Sequence, residues 1–202
     1  LPTETDEDVA AIAELVNKIV YCWRQNATNK KRRLSINLAT AFFVPKPFTP
    51  FQWEKQTSPE EYLRRVHLLQ SCLTARGVDY RYHESDLSRL EAVLARGDRR
   101  LSKVLLRAHE LGCKLDGWDE YFRYDLWMQA FSDCGVDPEF YTTRGFAEDE
   151  ILPWQTIDIG VSRDFFLRER ALAYQSVTTP DCRTKCAGCG ARSLSERGVC
   201  DE

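Results

Sequence analysis

No stretch of this sequence comes near the ~18 consecutive apolar residues that a membrane-spanning helix needs. The first residues, Leu1 to Asp8, carry acids and neither a positive start nor an apolar core, so no secretory signal peptide is expected. Charge of one sign is also lacking. The 28 Lys and Arg against 31 Asp and Glu leave a net charge of -3, which implies no global attraction to nucleic acid. Histidine is scarce: His67, His83 and His109 have no metal-like spacing to one another, and structural or surface roles are expected for all three. There is no nucleophile elbow, phosphate loop or dinucleotide fingerprint, and no internal repeat or low-complexity tract. What remains is a chain of 202 residues with 43% hydrophobic and 11% aromatic residues, enough for a core. It begins with Leu1 rather than Met, which suggests a fragment or a processed chain.

Cysteine, by contrast, is plentiful and unevenly spread. Cys22, Cys72, Cys113 and Cys134 are scattered among helical patterns, as small core residues are. Cys182, Cys186, Cys189 and Cys200 crowd the end, after the last amphipathic segment. Nothing apolar is left there for them to pack into. Without a secretory signal, metal binding is favoured over a disulfide framework.

The periodicity gives a coarse map. Thr5 caps a helix whose apolar residues recur at Val9, Ile12, Val16, Ile19 and Trp23. The run Lys30 to Arg33 is a basic turn, and Leu34 to Val44 is predicted as a strand that Pro45, Pro47 and Pro50 end. Its bulky face is Leu34, Ile36, Leu38 and Phe42; its small, mixed face is Ser35, Asn37, Ala39 and Ala41. Ser58-Pro59-Glu60 opens a second helix with the stripe Tyr62, Val66, Leu69 and Leu73, and Val78 to His83 alternate as a short strand. Helix, strand, helix, strand is the rhythm of an α/β layer fold. Further on the pattern is helical: Leu87 to Leu94, Leu101 to Leu111 after a break at Gly97-Asp98, Tyr121 to Phe131, and Arg163 to Tyr174. Between the last two helices, Leu152-Pro153-Trp154 is a loop expected to bury its Trp.

Three stretches resemble one family. Leu1-Pro2-Thr3-Glu4-Thr5-Asp6-Glu7-Asp8-Val9 is similar to the loop and helix start after the fifth strand of many radical S-adenosylmethionine barrels. Phe43-Val44-Pro45-Lys46-Pro47-Phe48-Thr49-Pro50-Phe51-Gln52-Trp53 resembles the end of the sixth strand in the radical S-adenosylmethionine group that often carries an amino-terminal cobalamin-binding-type domain. The stretch from Leu90 through Arg96-Gly97-Asp98-Arg99-Arg100 to Gly117-Trp118-Asp119-Glu120, and then Thr179-Pro180-Asp181-Cys182, resembles that group's carboxy-terminal extension.

The resemblance implies an α/β fold: the terminal β/α units of a partial, TIM-like barrel over residues 1–83, a mainly helical extension over 84–178, and a Cys-rich tail over 179–202. It implies a cytoplasmic enzyme that cleaves S-adenosylmethionine at a [4Fe–4S] cluster to a 5′-deoxyadenosyl radical. The cluster loop, C-x3-C-x2-C, would lie in a missing upstream part of the same polypeptide, so this chain alone is expected to be inactive. Use of cobalamin stays open, as does the substrate, with RNA and protein among the candidates and no membrane partner. In such barrels the end of the sixth strand packs the adenine, a role that falls on Phe43, Val44 and Pro45. Residues 5–83 should then form β/α units with an exposed sheet edge and Asn37 facing a lumen.

The tail reads Cys182-x3-Cys186-x2-Cys189-x10-Cys200. Its first spacings match the catalytic cluster motif, yet that motif needs a strand before it and several β/α units after it, and only 13 residues follow Cys189. A zinc site or a second Fe–S cluster is the expectation, with Cys200 or Asp181 as fourth ligand. Gly188 and Gly190 permit the tight turns, and Lys185 and Arg183 stand beside the sulfurs. Zinc and iron–sulfur both remain open, and the plain alternative is an unstructured end. Phe48, Phe51 and Trp53 either line a substrate mouth or cover a barrel end. Arg96, Arg99 and Arg100 either clamp phosphates or, as favoured here, pair with Glu91 or Asp98 on a wet surface. A different class of function is a helical binding module whose zinc knuckle recruits RNA or protein.

Overall fold

The computed structural model describes residues 1–29 and 31–191. Contacts divide the chain into two compact units, Leu1–Phe43 with Thr57–Leu90, and Val44–Gln56 with the chain from Glu91 onward. Among the described residues no helix is long and apolar enough to cross a membrane.

The first unit holds α1 (Asp6–Asn26), β1 (Ile36–Thr40), α2 (Pro59–Cys72), β2 (Val78–Tyr82) and the start of α3 (Ser85–Arg96). Thr5 begins α1 as a capping box: the Asp8 N–H donates to the Thr5 hydroxyl at 3.3 Å, and the Thr5 N–H donates to the Asp8 carboxylate at 2.9 Å. Ser58 caps α2 through the Glu61 N–H, with Pro59 in the first turn. The strands are parallel and joined through α2, in the register Ile36 with Val78, Leu38 with Tyr80 and Thr40 with Tyr82. This is a mixed α/β unit with one two-stranded sheet; the described residues form no closed barrel wall.

The strand expected over 34–44 is only five residues long. Its partner is equally short, and among the described residues no ladder continues beyond the His83 N–H bond to the Thr40 carbonyl. The alternation itself holds. Ile36, Leu38 and Thr40, with Val78, Tyr80 and Tyr82, are half-buried, while Asn37, Ala39, Asp79 and Arg81 are exposed. Two clusters cover the first face. Val9, Ala13 and Leu69 gather Leu38 and Tyr80 around them. Phe42, Tyr62 and Val66 gather Tyr80 and Tyr82, with the Phe42 and Tyr62 rings stacked 4.2 Å apart. The buried face of α1 is Val9, Ala13, Val16 and Val20, whereas Ile19, expected inside, is 45% exposed. Both sets fit a 3.6-residue period, and the small Ala13 marks the close approach that selects one of them.

Charges rim this unit. Arg64 bridges Asp6 at 2.6 Å and Glu61 at 2.7 Å, and Arg65 bridges Glu61 at 2.9 Å and Glu4 at 3.2 Å. The Arg64 guanidinium holds the Glu61 carboxyl down to about 2 from its ordinary 4.5, Arg65 assisting, and holds Asp6 below the carboxylate range. A depressed folded-state value means that this stabilisation is complete above 4.5 and fades as pH falls from 4.5 toward about 2. Solvent screening keeps the effect modest. Urea midpoints should be flat above that window and decline within it. Glu61→Gln should lower the plateau slightly and flatten the decline; an unchanged acid slope would show that the network contributes nothing.

The second unit contains the rest of α3, then α4 (Leu101–Leu111), α5 (Tyr124–Asp133), a tight turn at Pro138–Phe140, and α6 (Arg163–Tyr174). Two clamps join α4 to α5: Arg107 pairs with Asp133 at 2.7 Å and the Lys103 amine donates to the Cys134 carbonyl at 2.7 Å. Leu101, Val104 and Ala108 of α4 and Trp127, Ala130 and Phe131 of α5 are buried. The proline-rich segment Val44–Gln56 is threaded into this unit. The Gln56 N–H donates to the Thr142 carbonyl, and the Phe146 N–H to the Trp53 carbonyl, each at 2.8 Å. Arg170 of α6 binds Glu54 and Glu148, each at 2.7 Å. Trp53, Phe146, Leu152, Trp154 and Phe166 form the core beneath, so the Trp of the 152–154 loop is buried as expected.

Candidate functional site

The Cys-rich tail is laid against the start of α6. Ser162 caps that helix through the Phe165 N–H, and its own N–H donates to the Cys189 carbonyl at 2.8 Å. Arg168 donates to the Ala187 carbonyl, and the Thr179 hydroxyl donates to Glu169 at 2.5 Å. Gly188 and Gly190 take φ values of 66° and 96°, and a Cβ on Gly190 would meet the Gly160 carbonyl oxygen at 2.9 Å. These turns aim backbone donors at sulfur. The Gly188 N–H donates to Cys186 Sγ and the Ala191 N–H to Cys189 Sγ, each at 3.4 Å. Each sulfur thus accepts from the residue two places on, the outer-shell support that a metal-bound thiolate needs. A cavity of about 320 Å³ lies beside Cys186, walled by Arg168, Glu169, Thr179 and Lys185.

Cys182 is exposed, in a turn that Asp181 organises: the Asp181 carboxylate accepts the Arg183 N–H at 2.7 Å, and its carbonyl accepts the N–H groups of Thr184 and Lys185. Asp181 as a stand-in ligand is therefore occupied in part by local bonding. Among the described residues no group of three or more His, Cys, Asp and Glu is placed to hold a metal ion. Cys200, the expected fourth ligand, lies outside the described residues.

The residues given the adenine-packing role follow β1. Phe43 and Val44 are half-buried, Pro45 is fully buried, and the division between the units falls between Phe43 and Val44. Lys46 lies six residues beyond the end of β1, within the second unit, and forms an ion pair with Glu91, which satisfies the charge without a ligand. His67, His83 and His109 are exposed.

The arginine cluster departs from expectation at one position. Arg100 pairs with Asp98 at 2.7 Å and Arg99 is exposed, as on a wet surface. Arg96 is instead fully buried and, among the described residues, forms no ion pair, although Glu150 and Glu54 act on its charge from further away. Its Nη1 donates to the Thr142 carbonyl at 3.4 Å, its guanidinium carbon lies 4.4 Å from the centre of the Phe146 ring, and Nε and Nη2 have no acceptor. Burial, and then neighbouring Arg144, push it down to about 10. It still carries its proton at neutral pH, at a desolvation cost that one long hydrogen bond and one ring face offset poorly. Arg96→Met keeps the length and removes the charge. Stability should be unchanged or rise by up to about 2 kcal/mol in urea melts; a loss of similar size would show that the cation is needed.

Of the aromatic trio, Phe51 packs edge-on against Tyr174 at 6.4 Å, while Phe48 and Trp53 line a second cavity, of about 230 Å³. Gln52, Trp154 and Phe166 complete its inner wall. Phe48 holds a left-handed φ of 57°, a conformation costly for a large side chain and seen where the surroundings enforce it. Sequence reasoning marked Phe48 and Trp53 but not Gln52, whose partner Trp154 is far away in the chain.

No family profile matches the chain, and no solved structure matches it. Among curated proteins, the chain is similar to Uncharacterized protein MJ0966 of Methanocaldococcus jannaschii, 25% identical over 136 residues, which cover 67% of this chain. The matched region spans 28% of that relative's own length.

Proposed function

We propose that this chain is the closing part of a cytoplasmic radical S-adenosylmethionine enzyme, with a metal-binding tail. The observation that carries the reading is the parallel β1–α2–β2 pair, whose second face, Asn37, Ala39, Asp79 and Arg81, is bare. Parallel strands occur almost only in sheets covered on both faces, and two strands alone are marginal. Small and polar residues on the bare face suit the lumen of a larger barrel, of which β1 and β2 would be terminal strands. The quoted sequence stretches supply the family.

In this reading a [4Fe–4S] cluster, held by a loop outside this chain, would when bound supply the electron for cleaving S-adenosylmethionine to methionine and a 5′-deoxyadenosyl radical. The part left to this chain is positional: the stretch Phe43, Val44 and Pro45 follows a strand end, where barrel sites lie. Cys186 and Cys189, with Cys182 and Cys200, would hold zinc or a second Fe–S cluster. The substrate, and any use of cobalamin, belong to the longer protein. The test is 5′-deoxyadenosine formation by that longer protein, with none expected from this chain alone even after reconstitution with iron and sulfide. Formation by the isolated chain would mean that the tail itself is the catalytic cluster site.

The second reading, a helical module with a structural zinc knuckle that recruits RNA or protein, draws on the N–H···S turns at Cys186 and Cys189. It requires zinc in the tail and gives no role to the β1–β2 pair.

A further inference from the structure

The cavity in the second unit has a polar group with one end fixed and the other unused. Gln52 is only 4% exposed, and its carboxamide oxygen accepts from Trp154 Nε1 at 2.7 Å and from the Phe48 N–H at 3.3 Å. Both neighbours can only donate, so the oxygen must stand there and the NH2 must point the other way. Among the described residues no hydrogen bond uses that NH2. Trp53 also lines the cavity, while its Nε1 is sealed from solvent and has no partner among the described residues. The surrounding surface is flat and aromatic: Phe48, Trp53, Trp154 and Phe166.

Charges at the cavity argue against an anion. Glu150 and Asp158 line it, with Arg163. Glu150 is held by Arg144 at 2.8 Å, Asp158 accepts the Gly160 N–H at 2.7 Å, and Arg163 donates to the Glu148 carbonyl. Each of these charges is already engaged, which favours a neutral guest. The size suits a ring system: roughly 150 Å³ suffices for benzene in an engineered protein cavity, and this one has about 230 Å³.

We propose that this cavity binds a neutral planar heteroaromatic ring of the nucleobase class, with the Gln52 NH2 donating to an acceptor on the ring edge and the aromatic side chains stacking on its faces. The proposal stands apart from the radical reaction and goes beyond it. The ring could arrive as a free nucleoside or within single-stranded RNA.

The test is saturation-transfer NMR on the 202-residue chain with adenosine, guanosine, cytidine and uridine as probes, ribose as control, and short single-stranded RNA as a separate arm. Base protons of at least one nucleoside should receive saturation, and ribose none. Gln52→Glu keeps oxygens for Trp154 and Phe48 and removes the donor, so it should weaken binding by roughly tenfold or more. Should that variant fail to fold, Ile157→Trp, at a cavity residue that is 58% exposed, fills the space and should do the same. RNA binding much tighter than nucleoside binding, with the same dependence on Gln52, sustains the proposal and assigns the nucleic acid as source. Equal affinities sustain it and assign the free nucleoside. No transfer to any probe in either arm, or binding indifferent to both substitutions, overturns it.

Discussion

Cys186→Ser should strip most of the metal from protein purified without oxygen. The wild-type chain should carry zinc or iron in stoichiometric amount, and Cys189→Ser should behave like Cys186→Ser. The reason is local. These two sulfurs already accept the Gly188 and Ala191 N–H groups, from turns that need the left-handed glycines. If these sulfurs are the proposed ligands, their turns would lower the ordering cost of a site, while serine supplies neither a soft thiolate nor the matching bond length. Cys22→Ser, at an exposed position on α1, is the control and should leave the metal content unchanged. Elemental analysis reads the result. Iron with acid-labile sulfide selects the cluster, and zinc selects the closed structural site. Wild-type protein that binds neither metal would leave the tail as a chain end that happens to be rich in cysteine.

The second large effect concerns the first unit. Phe42→Ala should cost about 3–5 kcal/mol of stability, the range for truncating a buried aromatic ring. Phe42 is 4% exposed, and its ring lies parallel to that of Tyr62 within 4°. Tyr62 in turn donates to the His83 carbonyl at 3.0 Å, just past the end of β2. Removal of the ring therefore opens the cluster that joins α2 to both strand ends. Whole domains are stable by only ~5–15 kcal/mol, so the urea transition of this unit should move far or vanish. Asn37→Ala, on the bare face of the sheet, should change little. A loss under about 1 kcal/mol for Phe42→Ala would mean that the strand ends are not held through this stack.

Local signals were the legible part of the chain. Thr5, Ser58 and the residues of Arg163–Tyr174 announced their helices because caps and periodicity act within a few residues. The two strands were found for the same reason, but not their length. A strand ends where its partner ends, and the partner of β1 is five residues long. On α1 the sequence offered two apolar faces, and packing chose the one with Ala13 and Val20. The segment Val44–Gln56 was read as a strand end and a mouth. Its ties to Thr142 and Phe146 span roughly ninety residues, which no local pattern encodes. The same distance hid the Gln52–Trp154 bond. Arg96 was misplaced because an Arg-Gly-Asp-Arg-Arg run looks solvated, and only the packing of Phe146 and Thr142 shows that its first member is inside. In the tail, glycine spacing marked the two turns correctly, while the gathering of the sulfurs depends on Cys182 and Cys200, which those turns do not control.

A radical S-adenosylmethionine enzyme releases 5′-deoxyadenosine, and that product tests the proposed radical reading directly. The longer protein to which that reading assigns this chain should be reconstituted with iron and sulfide, reduced, and supplied with S-adenosylmethionine, and 5′-deoxyadenosine should be followed by chromatography. The account expects the product to form, to persist in a Cys186→Ser background, and to disappear when a cysteine of the upstream C-x3-C-x2-C loop is replaced. No 5′-deoxyadenosine from a protein with its cluster intact, or a product that depends on Cys186 and not on an upstream loop, would contradict it.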